Sequence, residues 1–123
     1  MKPFCGYNMA DYFSHWIRIG ELLTEKPRIF NVNWFQKDEN NKFLWTGFGE
    51  NIHVIKWMFD NENKQKTSIG YIPTNFDQKY FKIDKELWKK EIERYEQYYN
   101  TYNGKIDSIL IKELEKLKDR LNE

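Results

Sequence analysis

With 123 residues, 40% of them hydrophobic, the chain is sized for one compact domain with a modest core, and two independent domains are not expected. Its 32% charged content is balanced to a formal net charge of +1, which removes the single-sign field that would draw in nucleic acid. Cys5 is the only cysteine, so an intrachain disulfide and a cysteine-rich zinc site are excluded and a cytoplasmic setting is expected, while the lack of about 18 consecutive apolar residues argues against a membrane.

The opening run Met1-Lys2-Pro3-Phe4-Cys5-Gly6-Tyr7-Asn8 is apolar and turn-like at once, without the basic-then-apolar pattern of a signal peptide, and it suits a chain cut from a longer one. Asn8 or Asp11 is placed to cap a first helix, along which Met9, Phe13, Trp16, Ile17 and Gly20 recur at helical spacing. Pro27 forbids continuation much beyond Glu25. The β-branched and aromatic run Arg28 to Phe35 predicts a strand. Gln36 to Lys42 is rich in turn formers, so a hairpin-like excursion leading back to Phe43-Leu44-Trp45 is predicted.

Thr46-Gly47-Phe48-Gly49-Glu50-Asn51 sets a phenylalanine between two glycines, where the backbone has unusual freedom. Asn51 is then expected to cap a helix carrying Ile52, Ile55 and Phe59 on one side, with Val54 and Met58 beside them. Asp60 to Ser68 predicts a solvated loop, and Ile69 to Pro73 a short extended piece stopped by proline. Asp84 caps a third predicted helix with the stripe Trp88, Ile92, Tyr95, Tyr99 and Tyr102, and Asn103-Gly104 stops it. A last helix follows through Ile106, Leu110, Leu114, Leu117 and Leu121, with Glu113, Lys116, Lys118 and Asp119 facing water.

Self-contained catalysis has no obvious home in these elements. A glycine-rich phosphate loop with its lysine and hydroxyl is absent from the sequence. His15 and His53 fall in predicted helices without partners in a metal-ligand pattern, and they read as core-edge histidines. Ser14, Ser68, Ser108 and Cys5 lack the context of an activated nucleophile.

The aromatic residues, 18% of the chain, are the informative feature. Trp34, Phe35, Phe43, Trp45 and Phe48 sit in strand-end and loop sequence, so Phe35, Phe43 and Phe48 either line a slot for a planar base or join a small aromatic core under the loop. The pattern alone sets the small core slightly ahead, and Asn51 tilts the balance only a little toward the slot, because its carboxamide offers a donor and an acceptor to a base edge.

Asn33-Trp34-Phe35, Lys37-Asp38, Lys42-Phe43-Leu44-Trp45 and Gly47-Phe48-Gly49-Glu50-Asn51, in that order, resemble the guanine-binding segment of GTP-dependent phosphoenolpyruvate carboxykinases. Pro3-Phe4-Cys5-Gly6-Tyr7-Asn8, Tyr12 and His15-Trp16 resemble the segment that precedes it. Thr46 stands where that family usually has proline, and Gln36 where it usually has a basic residue. The resemblance implies a mixed α/β, mostly helical C-terminal portion of a nucleotide-binding domain over residues 1–123, with short strands and about four helices. Within it, a guanine-binding segment would span about 29–59 and C-terminal helices about 84–121.

By the same resemblance, Phe35, Phe43 and Phe48 match the phenylalanines that enclose guanine, and Asn51 with the backbone at Gly49 and Glu50 matches the positions that read the base edge. The parent enzyme would convert oxaloacetate and GTP to phosphoenolpyruvate, carbon dioxide and GDP in gluconeogenesis or anaplerosis, using manganese at the active site and magnesium with the nucleotide. The family's phosphate loop, metal ligands, substrate arginines and lid lie upstream of the matching segment. The chain alone is therefore expected to be inactive, to hold GTP or GDP weakly if at all, to partner the rest of the enzyme, and to be prone to self-association. An independent helical interaction module with a structural aromatic core is the alternative.

Overall fold

The computed structural model describes residues 2–60 and 62–123. Met1, the start of the opening motif, and Asn61, within the expected polar loop, lie outside the described residues. The fold is mixed α/β and mostly helical: four α-helices, short 3-10 turns and one two-stranded antiparallel sheet among the described residues. It divides into two compact units, Met1–Pro27 with Asp84–Glu123, and Arg28–Ile83.

The first unit is helical. Helix α1 spans Met9–Leu22, and the Asn8 side chain caps it by accepting from the Ala10 N–H at 2.8 Å. Helix α3 spans Lys85–Asn100, with the Asp84 carboxylate accepting from the amides of Glu86 and Leu87, both at 3.0 Å. Asn103 and Gly104 take left-handed conformations, with φ of 51° and 76°, and reverse the chain. Tyr102 thus falls in the turn after α3 rather than on its last helical turn. Helix α4 spans Ser108–Asn122, capped by Asp107, so Ile106 precedes the helix it was expected to begin.

Burial follows the apolar stripes only in part, since Trp16 of the α1 stripe and Tyr95 of the α3 stripe are exposed. Ile92, Ile106, Leu114 and Leu121 are buried, and Met9, Ala10, Tyr102 and Ile106 form one core cluster, flanked by Phe13, Tyr98 and Leu110. The Tyr102 ring meets Phe13 edge to face at 6.2 Å, and its hydroxyl donates to that of Tyr98 at 2.6 Å. Lys118 ties α4 to α3 through Glu96 at 2.6 Å and also pairs with Glu115 on its own helix at 2.8 Å. These ions remain partly solvated, so they orient the helices more than they stabilise them.

The second unit carries the aromatic loops. Arg28 to Phe35, expected as a strand, joins no ladder among the described residues. Its β-branched and aromatic composition reports a liking for half-buried pleated surfaces, and without a partner edge that liking yields no strand. The expected polar loop instead contains strand β1, Lys64–Thr67, which pairs with β2, Gly70–Pro73. Thr67 opposes Gly70 across a two-residue turn, and Gly70 takes φ 132° there, open only to glycine at little cost. Pairing with β2 compensates for the poor strand propensity of the lysines in β1.

Helix α2, Asn51–Asp60, also departs from expectation. Ile52, Ile55 and Phe59 are exposed, whereas Trp57 is buried, meets Phe30 edge to face at 5.7 Å and donates its indole N–H to the Glu62 carbonyl at 2.7 Å. Packing against a large ring with a satisfied polar edge outweighs the aliphatic stripe.

Two tests address the helical unit. Leu121, 2% exposed, fills its site completely, so Leu121→Ala should lower unfolding free energy by about 2–5 kcal/mol in a urea titration. Burial, aided by the bond to Tyr98, pushes the Tyr102 phenol up to about 12. An unfolded tyrosine ionises near 10, so this stabilisation is whole below pH ~10 and is lost as pH rises through the folded value. Denaturation midpoints should fall in that window, and Tyr102→Phe should reduce the slope.

Candidate functional site

The candidate residues Phe35, Phe43, Phe48, Gly49, Glu50 and Asn51 all lie in the second unit. The excursion after Phe35 is a true hairpin turn: the amide of Asp38 donates to the Lys42 carbonyl and that of Leu44 to the Gln36 carbonyl, each at 2.9 Å. Asp38 clips the turn shut, because its carboxylate accepts from the amides of Asn40 and Lys42, both at 2.9 Å. Asn41 sits in the left-handed region at φ 63°, which asparagine tolerates better than most residues.

This register sets Lys37 opposite Phe43. Phe35 lies in the turn that precedes this bridge, its amide donating to the Asn33 Oδ1 at 3.2 Å, and the Phe35 and Phe43 rings meet edge to face with centroids 6.3 Å apart. The Lys37 ammonium lies 5.2 Å from the centre of the Phe43 ring. Lys37 was not among the expected site residues, since only the pairing brings it to that ring.

Phe48 stands apart from this pair. Gly47, at φ 130°, turns the chain into a 3-10 segment, Phe48–Glu50, that runs directly into α2. The special conformation belongs to Gly47 and not to Gly49, where an added Cβ would meet nothing within 4 Å. Phe48 is 90% exposed and makes no ring contact among the described residues, while Phe35 and Phe43 are 75% and 55% exposed. The tryptophans behave differently: half-buried Trp45 packs between Trp34 at 5.4 Å and Tyr80 at 5.3 Å. The aromatic residues are thus divided, with Trp34 and Trp45 half-buried against one another and Phe35, Phe43 and Phe48 exposed.

Asn51 has helical backbone angles, φ −61° and ψ −28°, so it is not the side-chain cap it was expected to be. Its Oδ1 instead accepts from the Trp45 indole N–H at 2.7 Å. Glu50 pairs with His53 at 3.5 Å on an exposed surface, a carboxylate three residues away that the histidine's sequence reading passed over. Neither histidine is a core-edge residue: both are exposed, and His15 contacts Arg18 at 3.2 Å. No cluster of three His, Cys, Asp or Glu side chains able to hold a metal occurs among the described residues.

A separate open cleft of about 350 Å³ is lined by Arg28, Ile29, Phe30, Trp57, Lys64 and Tyr71. None of the six candidate residues borders it. No described helix is long and apolar enough to cross a membrane.

Known proteins place this chain. The sequence model of the phosphoenolpyruvate carboxykinase C-terminal P-loop domain matches residues 1–120. The chain belongs to the GTP-dependent phosphoenolpyruvate carboxykinase family. It is 40% identical to phosphoenolpyruvate carboxykinase [GTP] of Thermoplasma volcanium, covering 98% of this chain and 23% of that protein. It is 39% identical to the cytosolic phosphoenolpyruvate carboxykinase [GTP] of Gallus gallus, over 94% of the chain and 21% of the relative. The corresponding protein of Chlamydia muridarum is 36% identical, over 98% and 23%. The chain therefore spans less than a quarter of these curated carboxykinases, and its own sequence holds no glycine-lysine-serine or glycine-lysine-threonine phosphate loop.

The hairpin that presents Phe43 should depend on Asp38. Asp38→Ala removes two acceptor contacts of roughly 0.5–1.5 kcal/mol each, and amide exchange at Asn40 and Lys42 should accelerate on the order of tenfold or more. Unchanged exchange would show that the turn is held by other means.

Proposed function

We propose that this chain is the base-holding end of a GTP-dependent phosphoenolpyruvate carboxykinase, with Phe35, Phe43 and Phe48 stacking on guanine and Asn51, Gly49 and Glu50 reading its edge. The observation that carries the reading is the exposure of these three phenylalanine rings, in a chain matched along residues 1–120 by that family's model. Large apolar rings left uncovered, the Phe35–Phe43 pair on a hairpin clipped by its own hydrogen bonds and Phe48 on the bend before α2, suit a planar ligand better than solvent.

The chemistry divides accordingly. Stacking holds any purine, whereas hydrogen bonds to the base edge choose among purines, because a wrong partner leaves polar groups unpaired. The Lys37 ammonium, set over Phe43, adds positive charge beside the ring pair. Decarboxylation of oxaloacetate and phosphoryl transfer from GTP would belong to the rest of a larger enzyme, since this sequence supplies no phosphate loop. Its described residues form no ligand cluster fitting manganese or magnesium, and no step here passes through a metal. Exposed Ile52, Ile55 and Phe59 on α2 are suited to packing against that remainder, and to self-association when they are left uncovered.

Titration with GDP, followed by amide and indole NMR shifts so that millimolar affinity is measurable, tests the reading. Shifts should concentrate at 35–51, and Phe48→Ala should weaken binding by roughly five- to a hundredfold, the equivalent of about 1–3 kcal/mol of stacking. Unchanged affinity in Phe48→Ala would remove that ring from the site.

A further inference from the structure

The guanine reading leaves open how one asparagine discriminates between purines. A carboxamide has an acceptor branch and a donor branch, and rotation by half a turn exchanges them. A freely rotating Asn51 would serve a base carbonyl and a base amino group almost equally well. The Trp45 contact removes that freedom. An indole N–H only donates, so the Asn51 atom 2.7 Å from it must be the carbonyl oxygen, and the opposite branch is the NH2. Turning the amide over would set two donors against each other with no acceptor between them.

The indole itself is held. Its ring packs against Trp34 at 5.4 Å and Tyr80 at 5.3 Å, so swinging it away from Asn51 would break both contacts. Asn51 is constrained from the other side by its helical backbone at the start of α2, where its N–H donates to the Phe48 carbonyl.

We propose that Trp45 is a positioning residue for base selectivity: it commits Asn51 to donating, and so favours a purine with a carbonyl at C6 over one with an amino group there. Guanine offers O6 and N7 as acceptors on that edge, whereas adenine keeps N7 and replaces O6 with an amino donor. The locked NH2 satisfies the first and opposes the second. This inference rests on the guanine reading and adds to it a cause for discrimination that lies in a residue outside the base contacts.

The test compares GDP and ADP binding, by the same NMR titration of the full chain, in wild type, Trp45→Phe and Trp34→Phe. Trp45→Phe keeps an aromatic ring in the stack but loses the N–H, while Trp34→Phe disturbs the stack and leaves the N–H in place. Wild type should prefer GDP. Trp45→Phe should reduce the GDP-to-ADP preference by roughly five- to tenfold, mainly by improving ADP, as expected for one hydrogen bond's worth of orientation. Trp34→Phe should leave the ratio unaltered. In addition, Asn51→Leu should move the Trp45 indole resonance and speed its exchange with solvent.

The outcomes separate cleanly. An unchanged ratio in Trp45→Phe, with wild type still preferring GDP, overturns the locking role and leaves the guanine site standing. An equal change in Trp34→Phe assigns the effect to packing and also overturns it. An indole resonance indifferent to Asn51→Leu shows that the bond is not formed. Wild type that binds GDP and ADP equally, or whose shifts fall outside residues 35–51, removes the guanine reading, and the inference falls with it.

Discussion

The hydrogen bond from the Trp45 indole to the Asn51 carboxamide is the constraint on which the second unit's exposed surface depends. It ties the chain leaving the hairpin to the first turn of α2, across the bend made at Gly47. Because the indole is half-buried among other rings, the bond is shielded from competing water and is worth more than the same contact would be on an open surface. Phe48 lies within the segment that this bond closes. Its ring can be presented to solvent because the backbone around it is fastened at both ends.

A division of labour among aromatics follows. Tryptophan combines the largest apolar face with a single donor, so it can pack and fasten at the same time; phenylalanine has no polar edge to satisfy and can be covered or uncovered without leaving a group unpaired. The aromatic loops of the second unit use each accordingly. Trp34 and Trp45 pack in the half-buried layer and Trp57 in the unit's interior, whereas Phe35, Phe43 and Phe48 remain outside. Asp38 does for the hairpin what Trp45 does for the bend, substituting a local side-chain acceptor for a longer ladder.

What was legible in the sequence was local. The Asn8 and Asp84 caps, the stop at Asn103-Gly104 and the apolar stripe of α4 each need only a few neighbouring residues, and each appears in the structure. What was misread depended on partners distant in sequence or on competition between side chains. Arg28 to Phe35 has strand composition but no paired edge, while Lys64–Thr67 has poor composition and a good partner in β2. The buried face of α2 turned on Trp57 finding Phe30, which an aliphatic stripe does not reveal. The ordered aromatic and glycine motifs were enough to suggest the family. They could not show that Asn51 would lose its capping role to an indole six residues earlier.

The first unit is discontinuous, built from Met1–Pro27 and Asp84–Glu123, and its core sets Met9 and Ala10 against Tyr102 and Ile106. During synthesis at roughly 5–20 residues per second, α1 would emerge several seconds before the residues that cover it. Hairpin 36–44 and the β1–β2 pair, closed by contacts within a few residues of one another, can form as soon as they leave the ribosome. The order of assembly over residues 9–106 is therefore inverted relative to the order of synthesis: the hairpins can settle first, while α1 waits for Tyr102 and Ile106.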